Sequence, residues 1–246
     1  MARDEAPPPG LLSARSALFL DFDGTLTALR DDPDACALPG GGADVLSGLS
    51  GRLGGALAMV SGRDARDLTR RTPIELWRAG NHGGIVLPPG QVEPDEVPEA
   101  PDALLAVARR VADAHPGVFV EEKAAVLAVH TRACPACEPD VLAALKDAVA
   151  DVPGYKLQHG KRVIELKPEG VDKGVVIRRL MGEATFEGRV PVFVGDDTTD
   201  EDGFAVVRDL HGDAIKVGDG ETVARYRLEG PEHVWAWLRA AHDAIA

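Results

Sequence analysis

The stretch ALFLDFDGT, Ala17–Thr25, carries the clearest structural signal in this 246-residue chain. Its apolar beginning predicts a short buried strand, and the two acids that follow, Asp21 and Asp23, are expected at one edge of a sheet, where the active sites of open α/β folds form. Gly24 lets the backbone turn sharply beside a ligand. Carboxylates in this position can hold Mg²⁺, which prefers oxygen ligands, and one of them can attack phosphorus. By itself, the pair of acids also fits a solvated loop.

Two later segments supply cationic and hydroxyl groups. A second apolar strand, Ala56–Val60, ends at Ser61-Gly62-Arg63, whose hydroxyl and guanidinium can hold phosphate oxygens. Lys173 precedes a helix predicted over Val175–Met181, so its ammonium group is expected near a helix N-terminus, where an anion is already favoured. Both segments therefore have the chemistry that a phosphoryl-transfer enzyme needs.

A further segment is strongly acidic. The strand predicted over Val190–Val194 runs into GDDTTDE, Gly195–Glu201, which places four acids within six residues. These acids repel one another unless a cation lies among them. Ordinary structural roles stay open for each segment: Ser61 can cap the helix predicted over Ala65–Arg71, Lys173 can be a solvated lysine, and the acids can favour a helix N-terminus. The joint occurrence of all the segments favours the catalytic interpretation.

The ordered set DFDGT, SGR, a later lysine and GDDTTDE resembles the haloacid dehalogenase superfamily of aspartate-nucleophile phosphatases. Within it, the GDDxTDE form, AGNHG at Ala79–Gly83 and ELKP at Glu165–Pro168 are similar to the trehalose-6-phosphate phosphatases. The resemblance extends from about Leu18 to Leu238, and it implies an α/β fold with a Rossmann-like parallel-sheet core and an inserted, smaller α/β cap domain. One departure is visible, because the family usually continues HG with a small residue and then Glu, whereas Gly84-Ile85 stands here.

The resemblance implies a two-step displacement. Asp21 attacks the phosphorus in line while Asp23 protonates the leaving sugar oxygen, and Asp23 then activates water to hydrolyse the aspartyl phosphate. Mg²⁺ is expected on the Asp21 side chain, the Asp23 backbone carbonyl and Asp196. Lys173 and Ser61 would stabilise the transferring oxygens. The other expected groups are phosphate contacts from Gly24, Thr25, Gly62 and Arg63, and orientation of Lys173 or of metal-bound waters by Asp197 and Asp200.

An inserted segment interrupts the predicted core, which occupies residues 1–93 and 168–246 and leaves 94–167 as the cap. Proline-rich and acidic residues bound the insert at Val92–Pro98 and Lys167–Gly170, and such segments make plausible hinges. Helices that pack on one sheet face would make the insert a small self-sufficient domain. Its predicted elements are helices over Ala103–His115 and Val141–Val149 and strands over Val118–Val120, Ala125–His130 and Arg162–Leu166.

A cap would shield the aspartyl phosphate from water and give specificity. Charged side chains suit a disaccharide, which offers many hydroxyls and little apolar surface. Through the resemblance, Glu121, Lys123 and Glu165 match the sugar-binding positions of the family. Arg132 and His82 are further candidates for substrate contacts, against the alternatives of a solvated arginine and a core histidine.

Composition limits the class of partner. Forty acids against 27 lysines and arginines give a formal charge of -13, which disfavours nucleic acid and also repels an anionic substrate from the protein as a whole. The site must therefore create local positive potential. No apolar stretch approaches the roughly 18 residues of a membrane span, and Met1–Gly10 lacks the apolar region of a signal peptide and is expected to be a frayed tail. A cytoplasmic monomer that acts on a small sugar phosphate is the expectation.

The pair Cys134 and Cys137 has the spacing of half a zinc site, but no second pair follows. A redox role is not favoured, because no thioredoxin-like strand-to-helix start is predicted there. Reduced loop cysteines are therefore expected.

Three functions compete. Hydrolysis of trehalose 6-phosphate comes first, and a phosphatase for another sugar phosphate, of the sucrose 6-phosphate or mannosyl-phosphoglycerate type, is the alternative. A catalytically silent sensor of sugar phosphates is the third, but its usual signature, loss of Asp21 or Asp23, is absent. Near the C-terminus, the helical spacing of Val234, Trp237 and Leu238 predicts a core-packing helix rather than an aromatic sugar site.

Overall fold

The computed structural model describes residues 5–30, 32–160 and 162–245, and the chain divides into two compact units. One, here called the core unit, runs up to Pro94 and resumes at Asp172, and the other, the insert unit, spans Asp95–Val171. The insert unit ends four residues after the sequence-based boundary at 167. The reason is local, because Glu169 N donates to Gly154 O over 2.7 Å and ties the residues after the last strand of the insert to that unit.

The strands and helices of the described residues follow one another along both units. The strands are β1 (Ser16–Leu20), β2 (Leu57–Val60), β3 (Trp77–Gly80), β4 (Ile85–Leu87), β5 (Phe119–Lys123), β6 (Val126–His130), β7 (Tyr155–Gly160), β8 (Val163–Pro168), β9 (Val190–Gly195), β10 (Asp213–Val217) and β11 (Tyr226–Leu228). The helices are α1 (Gly42–Arg52), α2 (Ala65–Arg71), α3 (Asp102–Ala114), α4 (Glu138–Ala150), α5 (Lys173–Leu180), α6 (Asp200–Asp209) and α7 (Pro231–Ala244).

The core unit is built on a seven-stranded sheet with the order β11-β10-β9-β1-β2-β3-β4. Every neighbouring pair is parallel except β3 and β4. In the register, Leu20 at the end of β1 lies opposite both Met59 and Val194. The residues that follow β1, β2 and β9 therefore meet at one edge of the sheet, and the predicted α/β fold class is confirmed.

The central strands are buried on both faces, which explains why they read as continuous apolar runs. Leu18 and Leu20 of β1 pack on one face in a cluster that includes Trp237 and Leu238 of α7. Phe19 packs on the other face with residues of α5 and α6. Burial of α7 in the first cluster confirms the predicted core-packing helix.

The insert unit contains an antiparallel sheet with the order β5-β6-β8-β7. Its two helices pack on one face, where Leu104 of α3 and Val141 of α4 join Leu127 and Ile164 in a single apolar cluster. The sequence pattern missed β7, because Tyr155–Gly160 is only partly buried and its polar residues obscure the alternation. The predicted helices and the other three strands of the insert are present, with ends shifted by a few residues.

The setting of the cysteine pair differs from the expectation. Cys134 and Cys137 lie in a turn that follows β6 and leads directly into α4, so a strand-to-helix start is present after all. Cys137 Sγ donates to Cys134 O over 2.8 Å, and burial raises the pKa of the Cys137 thiol to about 11. Both cysteines and Cys36 are free thiols.

The prediction of a frayed N-terminal tail is wrong from Glu5 onward. Glu5 O accepts from Arg227 N over 3.1 Å, and Pro8 O accepts from Trp237 Nε1 over 3.2 Å. These bonds hold the segment on β11 and α7, and residues 1–4 lie outside the described part of the chain. Within that part, no helix combines the length and apolar character that crossing a membrane requires.

Candidate active site

Lys173 lies at the centre of a buried group of charges at the carboxyl edge of the core sheet. Its Nζ donates to Asp21 Oδ1 over 2.7 Å and to Asp200 Oδ1 over 2.6 Å. Asp172 accepts from Val175 N over 2.8 Å and so begins α5 at the lysine. Burial opposes the charge of Lys173, but the two carboxylates outweigh it and raise the pKa of the ammonium group above its usual value. Lys173 is thus a permanent cation with two anionic partners.

A third carboxylate adds to this group. One oxygen from each of Asp21, Asp196 and Asp200 lies within 4.8 Å of the others. Burial raises the pKa of Asp21 well above its usual value, against the pull of Lys173. Burial and the nearby Asp200 raise the pKa of Asp196 to about 6. One ammonium group therefore does not compensate all three acids, and this set of oxygen donors suits a hard divalent cation.

Gly24 and Thr25 lie against Asp196. Gly24 has φ of +80°, and a Cβ there would fall 2.0 Å from Asp196 Oδ2, so only glycine fits. Its N–H donates to Thr27 O over 2.8 Å and is therefore committed to the turn. Thr25 Oγ1 donates to Asp196 Oδ1 over 3.3 Å. The residues expected to contact phosphate thus also shape the position of Asp196.

Asp23 is held by Arg63. The guanidinium donates from Nε to Asp23 Oδ2 over 2.6 Å and from Nη2 to Oδ1 over 2.7 Å, which makes a bidentate ion pair. Its third nitrogen, Nη1, donates to Asp67 Oδ2 over 2.8 Å. Burial opposes the charge, yet these hydrogen bonds raise the pKa of Arg63 above its usual value. Arg63, expected on phosphate, thus lies on the predicted acid–base residue in this structure.

Asp67 was not among the predicted site residues. The signal that could have found it is the spacing, because Arg63, just before α2, and Asp67 and Arg71 within it recur every four residues and place an acid between two cations.

Ser61 and His82 come together although the segments SGR and NHG are separate in sequence. His82 N donates to Ser61 O over 3.0 Å, and a Cβ on Gly62 would lie 2.8 Å from His82 Cε1. Gly62 therefore makes room for the imidazole ring. Ser61 Oγ accepts from Arg63 N over 3.2 Å, whereas Asp64 caps α2, so the alternative of a capping Ser61 is wrong.

The acids of GDDTTDE have different positions. Asp200 contacts Lys173, and its Oδ2 accepts from Asp197 N over 2.9 Å. The Asp197 side chain is exposed and accepts from Thr198 and Thr199 over 3.4 Å, so its carboxylate does not meet Lys173.

Lys216, another residue absent from the predicted set, is buried in β10 and donates from Nζ to the backbone carbonyl of Asp196. A lysine within the apolar run of β10 was the available signal.

The insert unit presents charges on the sheet face that lies opposite its helices. Glu121 and Glu165 both pair with Ala128, so they belong to one cross-strand row, and Lys123 lies two residues from Glu121 on the same face. Glu121 Oε2 lies 2.9 Å from His130 Nε2 and 3.2 Å from Lys123 Nζ. The hydrogen bond from His130 is the main cause of a lowered pKa of Glu121.

Arg132 does not join this row. It lies in a turn two residues past His130, the last residue of β6, whereas Lys123 pairs with Val126, the first residue of that strand. The two positions are therefore at opposite ends of β6, which is roughly 13 Å long at the rise of an extended strand.

The mostly parallel sheet of the core unit and the separate antiparallel sheet of the insert unit are the fold of the haloacid dehalogenase superfamily of phosphatases. The sequence model of one of its families, trehalose-phosphatase, matches residues 19–232. The chain belongs to the trehalose-phosphatase family, whose members are phosphoric monoester hydrolases.

The names of individual relatives agree with this family assignment. The trehalose-6-phosphate phosphatase of Escherichia coli K12 is 39% identical over 238 residues, which cover 95% of this chain and 89% of that protein. The trehalose-phosphate phosphatase of Mycobacterium marinum is 35% identical over 242 residues, but this chain spans only 61% of its length. Among solved structures, the C-terminal domain of the Candida albicans trehalose-6-phosphate phosphatase matches all of this chain and 99% of its own, with a TM-score of 0.81 at 23% identity.

Proposed function

We propose that this chain is a Mg²⁺-dependent phosphatase that hydrolyses trehalose 6-phosphate through an aspartyl-phosphate intermediate. The observation that carries the proposal is the buried Lys173, which bridges Asp21 and Asp200 beside Asp196 at the edge of the sheet. The name of the E. coli relative supports the substrate, because the two chains match over nearly their full lengths.

Asp21 is the proposed nucleophile. Its carboxylate attacks phosphorus in line, so that a bond from Asp21 to phosphorus forms while the bond from phosphorus to the sugar oxygen breaks. Lys173 offsets negative charge on the nucleophile and on the transferring oxygens, and Asp200 keeps the ammonium group in place. Ser61, Gly24 and Thr25 are the proposed neighbours of the phosphate.

Asp23 is the proposed acid and base. In the first step it gives a proton to the leaving sugar oxygen, and in the second it takes a proton from the water that hydrolyses the aspartyl phosphate. Its bond to Arg63 leads us to assign that arginine to Asp23 rather than to phosphate.

The residues present fit a bound Mg²⁺. The side chains of Asp21 and Asp196 and the backbone carbonyl of Asp23 would hold it, and all offer oxygen, the donor this ion prefers. When bound, it would act as a Lewis acid that offsets charge on the phosphoryl group. Asp200 is engaged with Lys173 and with Asp197 N, and we assign it to orientation of the lysine.

Recognition of the sugar is assigned to the insert unit. Glu121, Lys123 and Glu165 share one face of its sheet, and charged groups can accept and donate hydrogen bonds to sugar hydroxyls. A small sugar phosphate is the proposed partner. The three free thiols support a reducing compartment, the cytoplasm.

Phosphate release from a panel of substrates tests the function. Trehalose 6-phosphate, sucrose 6-phosphate, glucose 6-phosphate and mannosyl-phosphoglycerate are compared with and without Mg²⁺, and the Asp21→Asn variant serves as the blank. We expect the highest kcat/KM for trehalose 6-phosphate, and only with the metal. Faster turnover of another member of the panel would identify that compound as the substrate in place of trehalose 6-phosphate. Turnover without metal would exclude Mg²⁺ from the mechanism.

A further inference from the structure

A continuous line of ion pairs leads away from Asp23 along α2. Arg63 holds both oxygens of Asp23 and, through Nη1, reaches Asp67 Oδ2 over 2.8 Å. Arg71 Nε donates to the same Asp67 oxygen over 2.7 Å. Arg70 Nη2 donates to the other oxygen, Asp67 Oδ1, over 3.1 Å. Asp67 therefore accepts from three guanidinium groups, and only that of Arg63 touches the proposed acid–base residue.

The far end of the line is anchored to the loop that follows β1. Arg71 Nη1 donates to Cys36 O over 2.6 Å and to Asp34 O over 3.1 Å. The side chains of Arg63, Asp67 and Arg71 are only 11%, 14% and 14% exposed, so water screens these pairs weakly. Although burial opposes it, the hydrogen bonds from Arg71 and Arg63 hold the pKa of Asp67 at about 2. Asp67 is thus a fixed anion in a well-held network.

We propose that Asp67 is a positioning residue for catalysis: it orients Arg63 so that the opposite edge of the guanidinium fixes the carboxyl group of Asp23. The inference rests on the proposed function, in which Asp23 is the acid and base. Its physical basis is the shape of arginine, whose planar fork has one orientation once two of its edges are held. Without Asp67, Arg63 keeps several rotamers, and Asp23 loses a defined place.

The consequence is specific to leaving groups that need a proton. A sugar alkoxide is a poor leaving group and depends on a well-placed acid, whereas 4-nitrophenolate departs without one. The parameter kcat/KM reports only steps up to the transfer of phosphate to the enzyme, provided that this transfer is irreversible. The ratio of kcat/KM for trehalose 6-phosphate to that for 4-nitrophenyl phosphate therefore measures how well the acid is placed.

The experiment compares this ratio in Asp67→Asn, Asp67→Glu and Asp64→Asn. Asp64 lies on the same helix and pairs with Arg66, and asparagine can still cap the helix, so its variant is a matched control without a link to Asp23. We expect Asp67→Asn to lower the ratio about 10-fold, Asp67→Glu to recover most of it, and Asp64→Asn to leave it unchanged. Should Asp67→Asn fold poorly, Arg71→Gln is measured in its place and should lower the ratio in the same direction.

The reference variant Asp23→Asn distinguishes the acid role of Asp23 from the positioning role of Asp67. If Asp23→Asn lowers the ratio and the variants of Asp67 and Arg71 do not, the positioning role is overturned while the acid role stands. Equal losses on both substrates in Asp67→Asn would likewise overturn it, because a merely structural defect reduces both. If Asp23→Asn leaves the ratio unchanged, Asp23 is not the acid, and the positioning role of Asp67 is overturned as well.

Discussion

Lys173 Nζ donates to Asp21 Oδ1 over 2.7 Å although 152 positions separate the two residues in the sequence. The contact joins the end of β1 to the start of α5, on either side of the inserted unit. Both groups are buried, and the same ammonium group also serves Asp200. The relationship couples the stability of the core unit to the chemistry that we assign to its sheet edge.

Replacement of Asp21 by asparagine tests the nucleophile. The change is nearly isosteric and removes a charge whose burial is unfavourable, so the variant should keep the fold. Turnover should fall by several orders of magnitude, because the amide cannot form the covalent intermediate. Phosphate release and circular dichroism check both statements. A folded variant with a tenth of the wild-type rate would show that Asp21 is not the nucleophile.

Replacement of Lys173 by methionine should damage both stability and activity. It leaves Asp21 and Asp200 buried without their cation, a loss of roughly 3–5 kcal/mol in the free energy of unfolding. Urea denaturation measures this loss. The additional change Asp200→Asn should return part of the stability but none of the activity. Arg179→Met, at an exposed position of the same helix, is the control and should shift stability by less than about 0.5 kcal/mol.

Removal of divalent metal should abolish activity. The carboxylates of Asp21 and Asp196 would then lack the cation that relieves their repulsion. Mg²⁺ should restore turnover, and Ca²⁺ should inhibit it, because its larger and more flexible shell alters the in-line geometry. Assays after exhaustive chelation, with the metal content verified, decide the point. Full activity in metal-free protein would exclude the ion from the mechanism.

The network around Asp67 should make stability depend on pH in the acid range. Folding lowers the pKa of Asp67 from 3.8 to about 2. The ion pairs of Asp67 therefore stabilise the folded state fully above the pKa of the unfolded chain, and this stabilisation is lost as the pH falls through the pKa of the folded protein. The shift corresponds to about 2 kcal/mol at neutral pH. The difference in unfolding free energy between wild type and Asp67→Asn should therefore be constant from about pH 7 to 5 and narrow by roughly 1 kcal/mol by pH 3. A difference that does not change with pH would contradict the assignment.

The insert unit should affect recognition and not chemistry. Alanine at Glu121, Lys123 or Glu165 should lower kcat/KM for trehalose 6-phosphate by roughly 10²-fold, because hydrogen bonds to the sugar are lost. Hydrolysis of an aryl phosphate, which has no sugar, should change little. Arg132→Ala provides the comparison, since Arg132 lies at the other end of β6 and should have a small effect on both substrates. Equal losses on both substrates in the first three variants would assign those residues to the fold or the chemistry.

Much of the core was predictable from local patterns. Continuous apolar runs indicated β1, β2 and β9, and the acids, serine and glycine that follow them had to lie at one edge, because parallel strands bring their carboxyl ends together. The strand β7 was missed, since its partly buried residues lack a clear alternation. The N-terminal segment was also misjudged, because its stability depends on Arg227 and Trp237, which are distant in sequence.

Residues adjacent along the chain were enough to predict the strands β1, β2 and β9, the acids at the ends of β1 and β9, and the place where the insert interrupts the core, because each of these features depends on a local pattern. Folding, by contrast, fixed which charges pair. It placed Arg63 on Asp23, Asp200 rather than Asp197 on Lys173, and Lys216 behind Asp196. These pairings depend on the directions of the side chains and on segments that only folding brings together. A local pattern of charges is compatible with several ion-pair partners, and burial in the folded protein selects one of them.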